Sequence, residues 1–486
     1  MIIQTPDWVK HAVFYQIFPD RFAQSSRLAK PDNLEPWDTP PSPSGYKGGD
    51  LLGVVEQLDY LERLGVTAVY FTPIFQSACN HRYHTHDYYQ VDPLLGGNAA
   101  LHELLEAAHQ RNMKVVLDGV FNHASRGFFY FNDILENGPS SPWLNWFTIQ
   151  SWPLSAYDGT RIANYLAWGN NRALPKFNTD NPQVREYLMQ VAEYWLRQGI
   201  DGWRLDVPFE IHTPGFWEEF RRRVKAINPE AYIVGEVWWD SRQWLQGDQF
   251  DGVMNYLFTE SVIAFTVGER VVSELVADRS YDPIPALNAE AYADKIDWLL
   301  QLYPWEIQLT QLNLLDSHDT ARLINIAGGD AAGVHLATLL LMTFPGAPSI
   351  FYGDEIGLRG NQDPDCRRTF PWEHPETWDQ AVLAYHTDLI KLRHNHPALR
   401  TGRYQRLYAA DGVYAFARSN AAETLLIAVN VAEQPRDVQI AVDAFAPGHS
   451  LKEVARVYGE GNVTSADTQL MISLPPRAGL VLRDGA

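Results

Sequence analysis

Eight short apolar runs, separated by stretches of helical periodicity, restrict this chain more than any other feature. They are Val13-Phe18, Ala68-Thr72, Lys114-Phe121, Gly202-Leu205, Tyr232-Val237, Gly252-Asn255, Thr310-Leu315 and Ser349-Tyr352. Runs of this composition alternating with helices such as Asn98-Arg111, Pro182-Gln198 and Ala331-Phe344 are the pattern of parallel βα units. Eight such units predict an α/β fold, a closed (β/α)8 TIM barrel, over residues 1–123 and 179–401.

Two departures from the repeat fix the rest of the expected architecture. Residues 124–178 are longer than a βα connection needs and carry Phe128, Phe129, Tyr130, Phe131, Trp143, Trp146, Phe147, Trp152 and Trp168. They predict an inserted subdomain after strand 3, placed to wall one side of a cleft at the C-terminal mouth of the barrel. Its aromatic rings serve equally well to pack a small core of its own. Residues 402–486 switch to short alternating segments, Val413-Ala417, Thr424-Val429, Asp437-Val442 and Leu470-Ser473, bounded by turn residues, and predict a C-terminal antiparallel β-sandwich.

Composition narrows the partners. A formal charge of −20 argues against nucleic acid, which needs clustered Lys and Arg. No apolar run reaches the roughly 20 residues of a membrane span, and the N-terminus lacks a basic segment followed by an apolar one, so a cytoplasmic protein without membrane contact is expected. Two cysteines, Cys79 and Cys366, are too few for a disulfide framework or a cysteine cage and are read as structural thiols.

The chemistry gathers at the ends of the runs. Arg204 and Asp206, two residues apart on a strand, point to the same side. Glu236 ends the next run, and Asp316-Ser-His-Asp319 and Asp118-Gly-Val-Phe-Asn-His123 end two others. At one barrel mouth, Asp206, Glu236 and Asp319 would stand with His123, His318 and Arg204 around them. Retaining glycoside hydrolysis needs a carboxylate that attacks the anomeric carbon and a carboxylic acid that protonates the departing oxygen. Asp206 beside Arg204 is expected to stay charged and attack. Glu236, beside Val237, Trp238 and Trp239 and near the other acids, is expected to have a raised pKa and donate the proton.

These motifs, in this order, resemble those of the α-amylase family, and within it the neopullulanase, cyclomaltodextrinase and maltogenic amylase group. The resemblance is carried by Asp118-to-His123, Gly202-Trp-Arg-Leu-Asp-Val207, Gly235-Glu-Val-Trp238 and Asp316-to-Asp319. Leu174-Pro-Lys-Phe-Asn178, Gly346-to-Glu355 and Asp363-Pro-Asp-Cys-Arg-Arg368 are similar to the group's own signatures. It implies Asp206 as nucleophile, Glu236 as acid/base and Asp319 as transition-state stabiliser. It also implies that Tyr83 stacks on the sugar, that His123, Arg204 and His318 contact it, that Asp363 and Arg367 anchor the donor side and that Trp238 lines the acceptor side. The substrate so implied is an α-glucan oligosaccharide: a malto-oligosaccharide, cyclomaltodextrin, pullulan or branched glucan, joined by α-1,4 or α-1,6 bonds, with transglycosylation as an accompanying activity.

Three departures from the group's pattern qualify this expectation. The first barrel strand falls within the first 20 residues, so the group's usual N-terminal β domain is not expected, which leaves a monomer or a dimer built another way. The loop Ala23-Tyr46 lacks an Asn/Asp-rich calcium segment, although Gly49-Asp50 is retained, so no cofactor is required and Ca2+ has weak support. Pro208-Phe209 follows Asp206-Val207 where a small residue and an amide are usual, which leaves acceptor preference open.

Competing readings remain at this stage. A barrel of this kind can be a binding scaffold without catalysis, or a glucan isomerase or transferase using the same acids. The segment His81-Arg-Tyr-His-Thr-His-Asp87 lacks the i, i+4 histidine pair of zinc hydrolases and is read as a loop that positions Tyr83, with no metal. Cys366, flanked by Asp and Arg, is read as packing.

Overall fold

The computed structural model describes residues 3–277, 284–441, 454–466 and 469–484. The eight expected runs form the eight strands of a single parallel sheet. They are β1 (Phe14–Ile17), β2 (Ala68–Phe71), β3 (Lys114–Gly119), β4 (Gly202–Leu205), β5 (Tyr232–Gly235), β6 (Gly252–Val253), β7 (Leu312–Asn313) and β8 (Ala347–Phe351). The order is β6-β5-β4-β3-β2-β1-β8-β7, and a parallel bridge from Met254 to Leu312 joins the two ends into a barrel. Buried on both faces, these strands show the continuous apolar runs of a parallel sheet rather than alternation.

Helix boundaries follow cap chemistry. Asn181 and Asp330 accept backbone N–H bonds at the starts of Pro182–Gln198 and Ala331–Thr343, satisfying donors the helix leaves unpaired. Gly199 closes the first of these with φ 105°, a left-handed cap that glycine adopts at little cost. The stretch 50–64 is two helices, Leu51–Glu56 and Leu58–Leu64, broken at Gln57.

The insertion leaves after β3 and returns beside it. Ala124 N–H donates to Pro175 O and Phe177 N–H to Asn122 O, while His123 and Lys176 form a bridge, so its two ends are zipped together. Its aromatics pack mainly on one another: Tyr130 stacks on Trp143, Phe131 meets Phe147 edge-on, and Phe128 touches Trp146 and Phe177.

Among the described residues beyond 402, a five-stranded antiparallel sheet faces a three-stranded one. Period-2 alternation divides the labour on Val413–Ser419: Val413, Ala415 and Ala417 join the core between the two sheets, whereas Tyr414 and Phe416 join the core shared with the barrel. The expected segment Asp437-Val442 is found as Arg436–Ala441, and Val442 lies outside the described residues. Among the described residues, no helix is long and apolar enough to cross a membrane.

Candidate active site

The C-terminal ends of β3, β4 and β5 converge on one guanidinium. Arg204, fully buried on β4, lies 2.8 Å from Asp118 Oδ2 on β3, 3.3 Å from Asp206 Oδ1 and 2.9 Å from Glu236 Oε2. The strand register produces this meeting. Asp206 N–H donates to Gly119 O and Glu236 N–H to Leu205 O, so each acid continues the ladder one residue past its strand. Gly235 makes room beneath Glu236, since a Cβ there would lie 2.8 Å from the Phe250 ring.

The backbone is strained where the two acids meet. Val207, a β-branched residue, has φ 36° and ψ 51°, a left-handed conformation that such residues rarely adopt. Its N–H is thereby aimed at Glu236 Oε2, 3.2 Å away, and Trp238 Nε1–H donates to Glu236 Oε1 at 3.3 Å. Strain of this kind, on the order of 1–3 kcal/mol, persists where surrounding contacts enforce it. Here it couples the peptide after one acid to the carboxyl of the other.

The expected division of charge is corrected by the geometry. Arg204 does not favour Asp206; it is shared among three carboxylates and approaches Glu236 more closely. Burial raises both Asp206 and Glu236 above the usual carboxylate range; Asp206 is pushed up further by Glu236, and Arg204 opposes the rise in each. Asp118 is pushed up to about 6 by burial, again against Arg204. Two such acids titrate as a pair, so the first proton leaves more readily than the second and the singly protonated pair is favoured over a wide range.

A second arm of the network reaches Asp319. His318 Nε2 lies 3.2 Å from Asp319 Oδ2, and Arg367 bridges Asp319 Oδ1 at 3.4 Å and Asp363 Oδ1 at 2.9 Å. The Tyr83 hydroxyl is 2.9 Å from Asp118 Oδ2 and 2.7 Å from His318 Nε2, with its ring parallel to the imidazole. Asp206 and Glu236 side chains are 9% and 8% exposed, whereas Asp319 is 33% exposed and stands at the open rim.

Thus Asp206, Glu236, Asp319, Tyr83, Arg204, His318, Asp363, Arg367 and Trp238 belong to one contiguous contact network. His123 stands to one side: its ring stacks on Trp168 of the insertion, 5.5 Å between centroids, and its buried Nε2 has no hydrogen-bond partner among the described residues. Trp238 stacks flat on Tyr256.

Gln16, Tyr70 and Tyr256 were missed by sequence reasoning. Gln16 Nε2–H donates to His318 Nδ1 at 2.8 Å, and Tyr70 OH donates to Asp118 Oδ2 at 3.2 Å. Gln16 carried a signal, an amide inside an otherwise apolar run. Tyr70 and Tyr256 carried none, because a core tyrosine and a site tyrosine read alike.

Asp50 does not offer a calcium site. Its Oδ2 lies 2.5 Å from Lys30 Nζ and accepts from Ser25 N–H, while Oδ1 caps Gly53 N–H. An ammonium already neutralises the carboxylate.

A parallel barrel with paired, buried acids at the C-terminal mouth defines a glycosidase-type active site. Residues 16–402 match the family described as "Alpha amylase, catalytic domain", and residues 402–482 match "Alpha-amylase C-terminal domain"; the chain belongs to the α-amylase family of glycoside hydrolases. It is 45% identical over 433 residues to a cyclomaltodextrinase of a Bacillus species, covering 88% of this chain and 74% of that one. It is 41% identical to neopullulanase 2 of Thermoactinomyces vulgaris, covering 100% and 79% of the two chains. The crystal structure of a debranching enzyme from Nostoc punctiforme superposes with a TM-score of 0.91 at 62% identity, covering 99% of this chain and 100% of that one.

Proposed function

We propose that this enzyme hydrolyses α-glucosidic bonds in malto-oligosaccharides, cyclomaltodextrins, pullulan or branched α-glucans, with retention of configuration. The observation that carries this reading is the single Arg204 guanidinium spanning Asp206 and Glu236, with Val207 N–H closing the gap between them. Retaining enzymes use one such acid as the nucleophile and the other first as proton donor and then as base.

Asp206 attacks the anomeric carbon while Glu236 gives its proton to the leaving oxygen; Glu236 then takes a proton from water, which releases the glycosyl group from Asp206. Asp319, at the rim and tied to Arg367, holds sugar hydroxyls as positive charge develops on the ring. Tyr83 offers a face to the sugar, and the unpaired His123 Nε2 finds its partner in a sugar hydroxyl. Arg367 and Asp363 bound the donor side, and Trp238 on Tyr256 bounds the acceptor side. Likeness over the full length to a debranching enzyme supports α-1,6 branch points among the bonds cut. The barrel (1–123 and 179–401) carries the acids, the insertion (124–178) walls the cleft through Trp168, and residues 402–486 form a separate domain that contributes none of them.

The test is Glu236→Gln assayed on two substrates. Cleavage of natural glucans is expected to fall by at least about 1,000-fold, whereas glycosyl-enzyme formation from an α-glucosyl fluoride, which needs no proton, is largely spared. Equal loss on both substrates refutes the role of Glu236. Asp206→Asn is expected to abolish both.

A further inference from the structure

The loop that delivers Tyr83 holds a second cluster of reactive side chains. It joins the two strands of a hairpin, Phe75–Ser77 and Thr85–Val91, beside the barrel mouth. Cys79 Sγ lies 3.4 Å from His81 Nδ1, and the His84 ring stands edge-on to the His81 ring. One ligand atom from each of Cys79, His81 and His84 lies within 4.8 Å of the others, and all three residues are half-buried.

We propose that Cys79, His81 and His84 form a binding site for a thiophilic divalent cation of the zinc class. Zinc bonds of about 2.3 Å to sulfur and 2.0–2.1 Å to nitrogen place tetrahedral S and N ligands about 3.5 Å apart. The Cys79–His81 pair already meets that spacing at 3.4 Å, and His84, within 4.8 Å, needs to close by at most about 1.4 Å. Thiolate and imidazole donors select a soft or borderline metal over calcium or magnesium, and three protein ligands leave the fourth position to water. Two of the nearby cations are already compensated, Arg82 by Asp92 at 3.1 Å and Arg367 by Asp363 at 2.9 Å.

The position gives the site a consequence. His81 and His84 flank Tyr83, whose hydroxyl contacts Asp118 and His318. An ion bound by the two histidines restrains the loop on either side of Tyr83.

The experiment titrates the full chain, stripped with chelator and kept reduced, with Zn2+ alone. One ion per chain is expected, with Kd at or below about 1 μM, and Co2+ in its place should give a thiolate-to-metal absorption band. Cys79→Ser and His84→Gln should each weaken binding by at least about 100-fold, Cys79→Ser should remove the band, and His86→Gln, in the same hairpin but outside the cluster, should change neither. Thermal melts without metal establish that each variant is folded. Absence of saturable binding in the unsubstituted chain overturns the proposal. So does binding that survives in folded Cys79→Ser, or a cobalt band there, which would trace to Cys366.

Discussion

Gln16→Met is the sharpest probe of the site, because it removes one hydrogen atom's influence and little volume. Gln16 is 2% exposed, and its amide donates to His318 Nδ1. That donation fixes the proton on Nε2, from which it points to the Tyr83 oxygen, leaving the Tyr83 proton for Asp118. Without the amide, either His318 Nδ1 stays buried and unpaired or the ring changes tautomer and the chain of donors reverses. An unpaired buried acceptor costs about 1–3 kcal/mol, and reversing the chain withdraws the Tyr83 proton from an anion at a similar cost. At 1.4 kcal/mol per tenfold, kcat/KM on a malto-oligosaccharide should fall by about 5- to 140-fold. Gln16→Glu separates the causes: it keeps size and hydrogen bond but accepts from Nδ1–H, enforcing the reversed tautomer. Comparable loss in both variants, with Gln16→Glu folding as stably as the unsubstituted chain, supports the argument. Activity within twofold for Gln16→Glu refutes it and reduces Gln16 to packing.

The pH profile of kcat/KM should be bell-shaped, lost at low pH when Asp206 and Glu236 are both protonated and at high pH when both are ionised; the alkaline limb should lie above the ordinary carboxylate range, since both groups are raised by burial. With the fluoride substrate, Glu236→Gln should retain only the acid limb. Glu355, buried under β1 and β8 with Tyr15 and Tyr60 donating to it, is raised by burial from 4.5 to about 7. The native state therefore holds a proton that the unfolded chain has lost, so stability falls as pH rises through that window, by roughly 3 kcal/mol. Urea unfolding of Glu355→Gln should be flatter over that window by this amount, and an unchanged slope refutes the assignment. Trp168→Ala removes the ring over His123; at about 0.5–1.5 kcal/mol for such a stack, KM for longer glucans should rise about 2- to 10-fold with kcat nearly unchanged, whereas an unchanged KM excludes the insertion from the cleft.

The barrel was legible because its physics is local. A strand buried on both faces is largely apolar, and Ala68-Thr72 and Ser349-Tyr352 therefore stand out against their flanks. The acids were legible for a related reason: Asp206, Glu236 and Asp319 break apolar runs at the point where a barrel opens. What escaped depended on contacts between distant residues. Arg204 was read with Asp206, its neighbour in sequence, while its shorter contacts are to Asp118 and Glu236 on adjoining strands. The left-handed Val207 had no sequence signal, since nothing in valine anticipates φ 36°. The segment His81-to-Asp87 reads as a loop without a metal because it lacks an i, i+4 histidine pair, whereas the hairpin brings the i, i+2 and i+5 residues Cys79, His81 and His84 within 4.8 Å of one another.

Charge balance explains why so many acids can share one mouth. Asp118, Asp206 and Glu236 face a single Arg204, while Asp319 and Asp363 share Arg367. In the first group three ionised carboxylates would exceed the arginine's charge in a buried site, and desolvation penalises each added negative charge. Tyrosine hydroxyls on Asp118, from Tyr70 and Tyr83, secure that carboxylate as an anion and so assign Arg204's charge chiefly to it. The proton that the remaining pair retains is then a consequence of arithmetic at the barrel mouth rather than of either acid alone. Glu236, with its N–H contacts from Val207 and Trp238 and its place against an acceptor-side aromatic, is the member positioned to spend that proton on a leaving oxygen.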